Sequence, residues 1–397
     1  MSHVSRAGQF VKQPAGYRAF IPHTLPPEPA INIDQSMVML LSRADQALGR
    51  LDGVAQTLPN PDLFVAMYVR REAVYSSQIE GTQSTLDDVL EYELDAAGRE
   101  LPSDVEEVVN YVAAMNHGLE RLQTLPLSLP LIREIHAELL KGVRGADRSP
   151  GEFRTTQNWI APAGTPLAQA TYVPPPIAEM QNALNNLERF LHEEHNLPVL
   201  IVSGLAHAQF ETIHPFLDGN GRVGRLLITF LLCHRGVLQR PLLYLSYFLK
   251  RHRAEYYDRL MAIREDGDWE GWFRFFLRGI AETAEEATQT ARAIVQLREL
   301  HRAVIQDHHL GDNGQRLLDM LFYQPIINVN RVKLTLNMSF AGANKLVKQM
   351  ADLGLLEEIT GAQRNRRFRY RPYLALFAEP ATELVEDVPI QATESEP

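Results

Sequence analysis

The sequence predicts a mainly α protein carrying two small β elements. Apolar residues recur at helical spacing from about residue 34 onward. That pattern breaks clearly at only two places, "GEFRTTQNWIAPAGTPLAQATYVPPP" (151–176) and "LLEEITGAQRNRRFRYRPYL" (355–374), and both read as strand, turn and strand. Helix punctuation agrees with the helical reading. Asn60 is a good N-cap, Pro61 suits the first helical position, Asp62 suits the positive helix end and Gly81 is a natural stop.

Taken in order, residues 1–30 are Pro-rich without a sustained period and predict an extended surface arm. Residues 31–125 form an N-terminal helical region that contains the helix of 60–81. It continues through "DDVLEYELDAA" and "SDVEEVVNYVAAMNHGLERL". Residues 126–290 form a central core, with helices at "LPLIREIHAELLKGV", "IAEMQNALNNLERFLHEEH", "LPVLIVSGLAHAQFETI", "VGRLLITFLLCHRG" and "KRHRAEYYDRLMAIRED". The first β element, a hairpin turning at Gly164 and Pro166, lies inside this core. A long helix begins at "DWEGWFRFFL", and 291–312 is read as its connecting continuation. From 313 to 377, three short helices followed by a hairpin make a winged helix. The tail 378–397 is acidic and poor in apolar residues, which predicts disorder.

With 397 residues the chain suits two or three domains, and 45% hydrophobic residues suit buried cores. A net charge of -10 argues against a general polyanion binder, though a local basic patch is still open. The single cysteine, Cys233, excludes a disulfide within the chain and a cysteine-based zinc site. The first residues lack the apolar core of a signal peptide, and "LLITFLLCHRG" is too short to span a bilayer. The expectation is a cytoplasmic protein with no membrane partner.

The densest chemistry is "HPFLDGNGRVGR", residues 214–225, at the seam between two apolar runs. Gly219, Asn220 and Gly221 sit where a helix begins. Successive N–H groups there point outward and form an anion nest, and glycines let an anion approach the backbone. Arg222 and Arg225, three apart, lie on the first helical turns, and arginine suits bidentate phosphate contact. Asp218 is a hard oxygen donor beside that nest, where Mg²⁺ would be held. His214, with an ordinary pKa of about 6.5, suits a general base. A Gly-rich loop, a lone histidine and two arginines each have bland readings. Together in twelve residues they point to phosphoryl or nucleotidyl transfer. No GxxxxGK[ST] element is present, which disfavours a P-loop enzyme.

This stretch resembles the signature of the Fic family, HPFx[DE]GNGRxxR, at every fixed position. "GEFRTTQNWI" and "YVPPP" look like the family's flap hairpin, and "RAEYYDRLMAIREDGDWEGWFRFFL" like the helices that close its nucleotide pocket. The resemblance implies a Fic helical core with a β-hairpin flap and protein adenylylation. ATP would give AMP to a Ser, Thr or Tyr hydroxyl of a target protein, or of the chain itself. It implies His214 as the base, Asp218 as the Mg²⁺ ligand, and Gly219, Asn220 and Gly221 as the phosphate cradle. Arg222 would steady the pyrophosphate, and Arg225 would reach the γ-phosphate. Tyr256 and Arg264 would lie near the adenine, with a core aromatic as the competing reading of Tyr256. Gln157, Asn158, Trp159, Ile160 and Ala161 in the flap would bind the target main chain by strand addition.

A second motif closes the helix of 60–81. In "SSQIEG", Ser76 and Glu80 share one helix face, and a carboxylate near a helix C-terminus gains nothing from the dipole. That suggests a specific cationic partner. The pattern [ST]xxxE[GN] resembles the family's inhibitory motif, which implies that Glu80 pairs with Arg225. In some relatives the same glutamate helps hydrolyse the AMP–protein bond, so a de-AMPylating hydrolase is the alternative from the same site.

Arg364, Arg366, Arg367, Arg369 and Arg371, with Phe368 and Tyr370 between them, line the expected wing. They would contact either a DNA backbone or the core of the chain. On the third helix, Asn344, Lys345 and Lys348 are polar enough to read bases. A DNA-binding regulator with the core as nucleotide sensor is therefore the rival from another class. A homodimer is a further partner open to test.

Overall fold

The computed structural model describes residues 4–56, 61–94, 104–162 and 164–378. Three short strands come first: β1 (Val4–Ser5), β2 (Gly8–Lys12) and β3 (Arg18–Pro22), an antiparallel meander. The expected arm is therefore a small sheet. Its edge is tied to the flap region, since Phe20 N–H donates to the Val173 carbonyl at 2.9 Å. The strands are too short to show a period: two residues in β1 and five each in β2 and β3.

Helices follow: α1 (Gln35–Gln56), α2 (Pro61–Ile79), α3 (Leu86–Leu94), α4 (Val105–Arg121), α5 (Leu129–Leu139) and α6 (Ile177–His192). The centre is the pair α7 (Val199–Ile213) and α8 (Asn220–His234). Every residue of α7 from Leu200 to Ile213 is buried, as is α8 from Arg222 to Leu232. Helices apolar all round belong in the middle of a bundle. Next come α9 (Ser246–Arg251), α10 (Arg253–Asp266) and the 39-residue α11 (Trp269–Asp307). The expected single helix over 250–266 is two, parted at His252. The expected boundary at 290 falls inside α11. That helix packs along α1, so the N-terminal region and the core share one apolar cluster.

Pro61 opens α2 as expected, and Gly81, at φ +100°, ends it. The expected cap Asn60 and the Asp62 side chain lie outside the described residues, as does the tail beyond 378. The flap is less regular than predicted. Its two limbs meet in one antiparallel bridge, Ile160 with Tyr172, whose N–H···O bonds are 2.8 and 3.1 Å.

The C-terminal part runs α12 (Gly311–Tyr323), β4 (Ile326–Asn328), α13 (Val329–Leu336), α14 (Phe340–Asp352), β5 (Glu357–Glu358) and β6 (Arg367–Arg369). Its sheet order is β4-β6-β5, all antiparallel. Asn328 caps α13 and Ser339 caps α14, each accepting from the N–H three residues on. The three-residue β4 and the short α15 (Arg371–Leu374) were not anticipated.

Close approach of α4 to α8 depends on Gly118. A methyl added there would lie 2.3 Å from Phe230 Cζ. Gly118→Ala is expected to destabilise the protein by about 1–3 kcal/mol through overpacking. A lower urea midpoint at unchanged slope would register it; an unchanged midpoint would show that Phe230 yields freely.

Candidate active site

Helix α7 ends at His214, whose φ of +49° turns the chain into the loop, and Gly219, at φ +75°, starts α8. Between them the loop is closed by its own side chain. Asn220 Oδ1 accepts from Phe216 N–H and Asn220 Nδ2 donates to Phe216 O, both at 2.8 Å. Asn220 thus shapes the loop with its amide group and offers the anion only its backbone. The amides of Asn220, Gly221 and Arg222 make no hydrogen bond among the described residues, as first-turn donors do. They form the predicted nest.

A carboxylate from elsewhere in the chain packs beside those amides, against Gly221. Glu80 Oε1 lies 2.2 Å from where a Cβ on Gly221 would be, so only glycine admits it. The same oxygen accepts from Arg225 Nη2 at 2.6 Å. Ser76 completes the grip: Arg225 Nε donates to its hydroxyl at 2.8 Å and Arg225 Nη2 to its carbonyl at 2.9 Å. Burial would push the Glu80 carboxyl up, but the Arg225 charge and hydrogen bond outweigh it and hold it below its ordinary value. Arg225 is buried and fully charged. The structure therefore joins Ser76, Glu80, Gly221 and Arg225, which lie about 140 residues apart.

Arg222 goes elsewhere. It is fully buried, with Nη1 on Glu107 Oε2 at 3.0 Å and Nη2 3.6 Å from Asp218 Oδ1. The two arginines expected to converge on one anion thus have separate anchors. Arg222 Nε and Nη2 are enclosed without a hydrogen bond, so its donors on the Asp218 side are unspent. Asp218 keeps Oδ1 on Gly219 N–H at 2.6 Å, while its Oδ2 makes no hydrogen bond among the described residues.

His214 is pushed down to about 4 by burial and by the nearby Arg264 and Arg154 charges. It is therefore a neutral imidazole at ordinary pH. Its carbonyl is fixed from the flap side by Arg154 Nε at 3.0 Å and Asn158 Nδ2 at 3.3 Å. Asn158 also donates to Phe216 O at 2.8 Å. Of the other flap residues, Gln157 donates to Pro174 O, Trp159 and Ile160 are exposed, and Ala161 follows the bridge.

Tyr256 lies in the core rather than on an open pocket wall. It is 1% exposed, and its hydroxyl is 2.9 Å from His207 Nε2. The reason is α8: His207 Nδ1 is bonded to the Gly224 carbonyl, which leaves Nε2 to accept from the tyrosine. Arg264 is also buried, lying over the Tyr172 ring and donating to Glu211 O and Thr212 Oγ1. It braces the end of α7.

Four residues of the site went unassigned from sequence: His136, Arg154, Glu107 and Glu211. Arg154 stands in the quoted flap segment, where a lone arginine amid polar neighbours gives no sign of burial. Glu107 and Glu211 sit in helical runs where a carboxylate normally marks the solvated face.

Two of the expected wing arginines, Arg367 and Arg369, reach α3. Arg367 Nη1 is 3.1 Å from Glu91 Oε2 on α3, and both side chains are buried. Arg369 reaches Asp87 at 3.4 Å and Glu357 at 3.0 Å; Arg371 lies 3.9 Å from Glu357. Arg366 donates to Asn344. Phe368 and Tyr370 are core residues, not part of a patch.

A left-handed histidine turn thus leads into a helix start with free amides, with the flap on one side and the Glu80–Arg225 pair beside it. Residues 38–120 match the model for the Fic/DOC family N-terminal region and residues 126–232 that for the Fic/DOC family. A protein adenylyltransferase Fic from Drosophila grimshawi is 30% identical over 218 residues, which is 53% of this chain and 40% of that relative. The relative of the same name from Drosophila melanogaster is 28% identical over the same span and again covered for 40% of its length. The chain thus spans about two fifths of the curated relatives it matches. A Fic family protein from Desulfovibrio desulfuricans shares the fold with a TM-score of 0.55 at 21% identity, over 86% of this chain and 97% of that one. Among the described residues no helix is long and apolar enough to cross a membrane.

Proposed function

We propose that the protein is an adenylyltransferase that moves AMP from ATP to a side-chain hydroxyl of a target protein and is restrained by Glu80. One observation carries the reading: an ionised carboxylate packs against Gly221 and pairs with Arg225, beside the free amides that start α8. An arginine that holds a carboxylate there can hold a phosphate by the same chemistry, and free amides at a helix start can take anion oxygens.

In this reading the amides of Asn220, Gly221 and Arg222 bind the triphosphate, with Arg225 as its outer cation. Arg222, held by Glu107, presents its unspent N–H groups to the phosphates from below. Neutral His214 takes the proton of the attacking hydroxyl, whose oxygen bonds to the α-phosphorus as the bond to the β-phosphate breaks and pyrophosphate leaves. A Mg²⁺ ion fits the donors: Asp218 offers a free carboxylate oxygen, and phosphates would complete the shell. When bound, it would neutralise phosphate charge. The flap, with Trp159 and Ile160 exposed beside the Ile160–Tyr172 bridge, would align the target main chain. Incubation with α-labelled ATP tests this. Transfer of label and an added AMP mass on the protein or on a lysate component are expected. Hydrolysis of ATP without transfer would refute it.

The rival DNA reading makes a different forecast for the wing. With Arg367 paired to buried Glu91, Arg367→Ala is expected to cost up to about 3 kcal/mol of stability by removing a buried charge pair. Denaturant melts measure it. Salt-dependent duplex binding that weakens in an Arg366→Ala, Arg367→Ala protein would instead restore the DNA reading.

A further inference from the structure

The loop that carries Asp218 rests on a ring the chemistry above does not use. His136, from α5, is wholly buried and lies flat on Phe216, with centroids 3.7 Å apart and planes 6° apart. It also touches the face of Gly219, where a Cβ would be 3.4 Å from the ring. Its two nitrogens have opposite duties. Gly151 N–H points at Nδ1 at 2.8 Å, so Nδ1 must accept. The ring proton is then on Nε2, which donates to the Asp218 carbonyl at 3.0 Å. A neighbouring N–H therefore settles the tautomer. Burial, first of all, keeps the ring neutral, with a pKa pushed down to about 4.

The consequences meet at Asp218. Its carbonyl is fixed by His136, its Oδ1 by Gly219 N–H, and its Oδ2 is left over. Gly151 begins the segment leading to Phe153, which packs against Phe216 at 5.1 Å, and to Arg154, which holds the His214 carbonyl. One imidazole thus ties the flap root to the loop.

We infer that His136 is a positioning residue that, through the Asp218 main chain, holds the Asp218 carboxylate in place for a metal–nucleotide complex. The inference rests on the functional reading above. Partners behind a metal ligand set its orientation, and their loss costs roughly 10- to 100-fold in metal affinity. Here the partner acts on the ligand's backbone, so the effect should appear in metal dependence before it appears in nucleotide contact.

The test uses the full chain carrying Glu80→Gly, so that the nest is open. Binding of a non-hydrolysable ATP analogue is measured by calorimetry across a Mg²⁺ titration and again in EDTA, with thermal melting as the fold control. His136→Ala is expected to raise the Mg²⁺ concentration for half-effect about 10-fold or more, with metal-free binding little changed. His136→Gln places an N–H near the Nε2 position and should stay within a few-fold of the parent. A folded His136→Ala protein with the parent's Mg²⁺ dependence would overturn the inference. If the alanine variant does not fold, Gln against Asn decides, because Asn cannot reach the Asp218 carbonyl. A loss in Asn alone supports the inference, and parental behaviour in both refutes it. If the Glu80→Gly parent binds no Mg²⁺–nucleotide at all, the functional reading itself fails and takes this inference with it.

Discussion

Replacing His214 with alanine is expected to lower AMP transfer about 10²- to 10⁴-fold while nucleotide still binds. The base is the one role in the site with no substitute. Among the described residues around the loop, Arg154, Arg222, Arg225 and Arg264 are cations that donate rather than accept. Glu80 is committed to Arg225, and Glu211 faces α8, its Oε1 2.4 Å from where a Gly224 Cβ would lie. The nest itself is built from the backbone of α8 and from Asn220 bridging to Phe216, none of which needs the imidazole. Alanine at φ +49° is somewhat strained, so His214→Asn, which tolerates that region, is the companion variant. Filter binding of labelled ATP with transfer scored on the same samples separates the two effects. Transfer at the parent rate in either variant would remove His214 from the chemistry. The protonation state adds a second signature. Burial and two nearby arginines push the imidazole down to about 4, so the neutral, proton-accepting form persists as pH falls. The kcat/KM of the free enzyme should therefore stay level from pH 8 down to about 6. It should drop only as pH nears that value, where the ring takes up a proton. A fall centred near 6.5 would mean an unperturbed histidine.

The motif at 214–225 was legible because its chemistry is contiguous. Backbone amides, glycines and arginines at a helix start have few other uses in that density. Glu80 was legible for a different reason: a carboxylate at a helix C-terminus is locally unrewarded, and the distant arginine that explains it is 145 residues away. Other features were hidden because their meaning is tertiary. His136 reads as one polar position in an amphipathic helix until Gly151 and Asp218 are seen on its two nitrogens. Arg367 and Arg369 read as part of a basic patch until Glu91, Asp87 and Glu357 are seen opposite them. Arg222 and Arg225 share a helix turn in sequence, but Glu107 on α4 and Glu80 just past the end of α2 draw them apart. The arm of 4–22 failed for want of period: strands of five residues or fewer carry too few alternations to register. The flap failed in the other direction, since β-compatible residues there form one bridge rather than a ladder.

Glu80→Gly is expected to raise AMP transfer, self-modification included, by roughly 5- to 150-fold, the change that a coupling free energy of about 1–3 kcal/mol gives. The competition is direct. Glu80 Oε1 sits on the bare Cα of Gly221 and 2.6 Å from Arg225 Nη2, so a phosphate cannot use those groups while the carboxylate is present. Deleting it also removes a negative charge from a site meant for a polyanion. Arg225 should not collapse when its partner goes. Ser76 still accepts two bonds from the guanidinium, and two buried carboxyls in its field, Glu72 and Glu211, are pushed up by burial to about 7 and can ionise to balance it. The freed arginine is therefore both available and in place. That sets the decisive control: Glu80→Gly with Arg225→Ala should lose the gain, because the group the carboxylate released is then absent. Glu80→Gln is intermediate, since an amide keeps the bulk against Gly221 but gives up the charge. A pre-modified target adds one more reading. If Glu80 also helps remove AMP, the parent should strip the label and Glu80→Gly should not; if both leave it, the residue acts only by occupying the site. Equal transfer by the parent and Glu80→Gly, with ATP bound in both, would mean that the carboxylate on the nest restrains nothing.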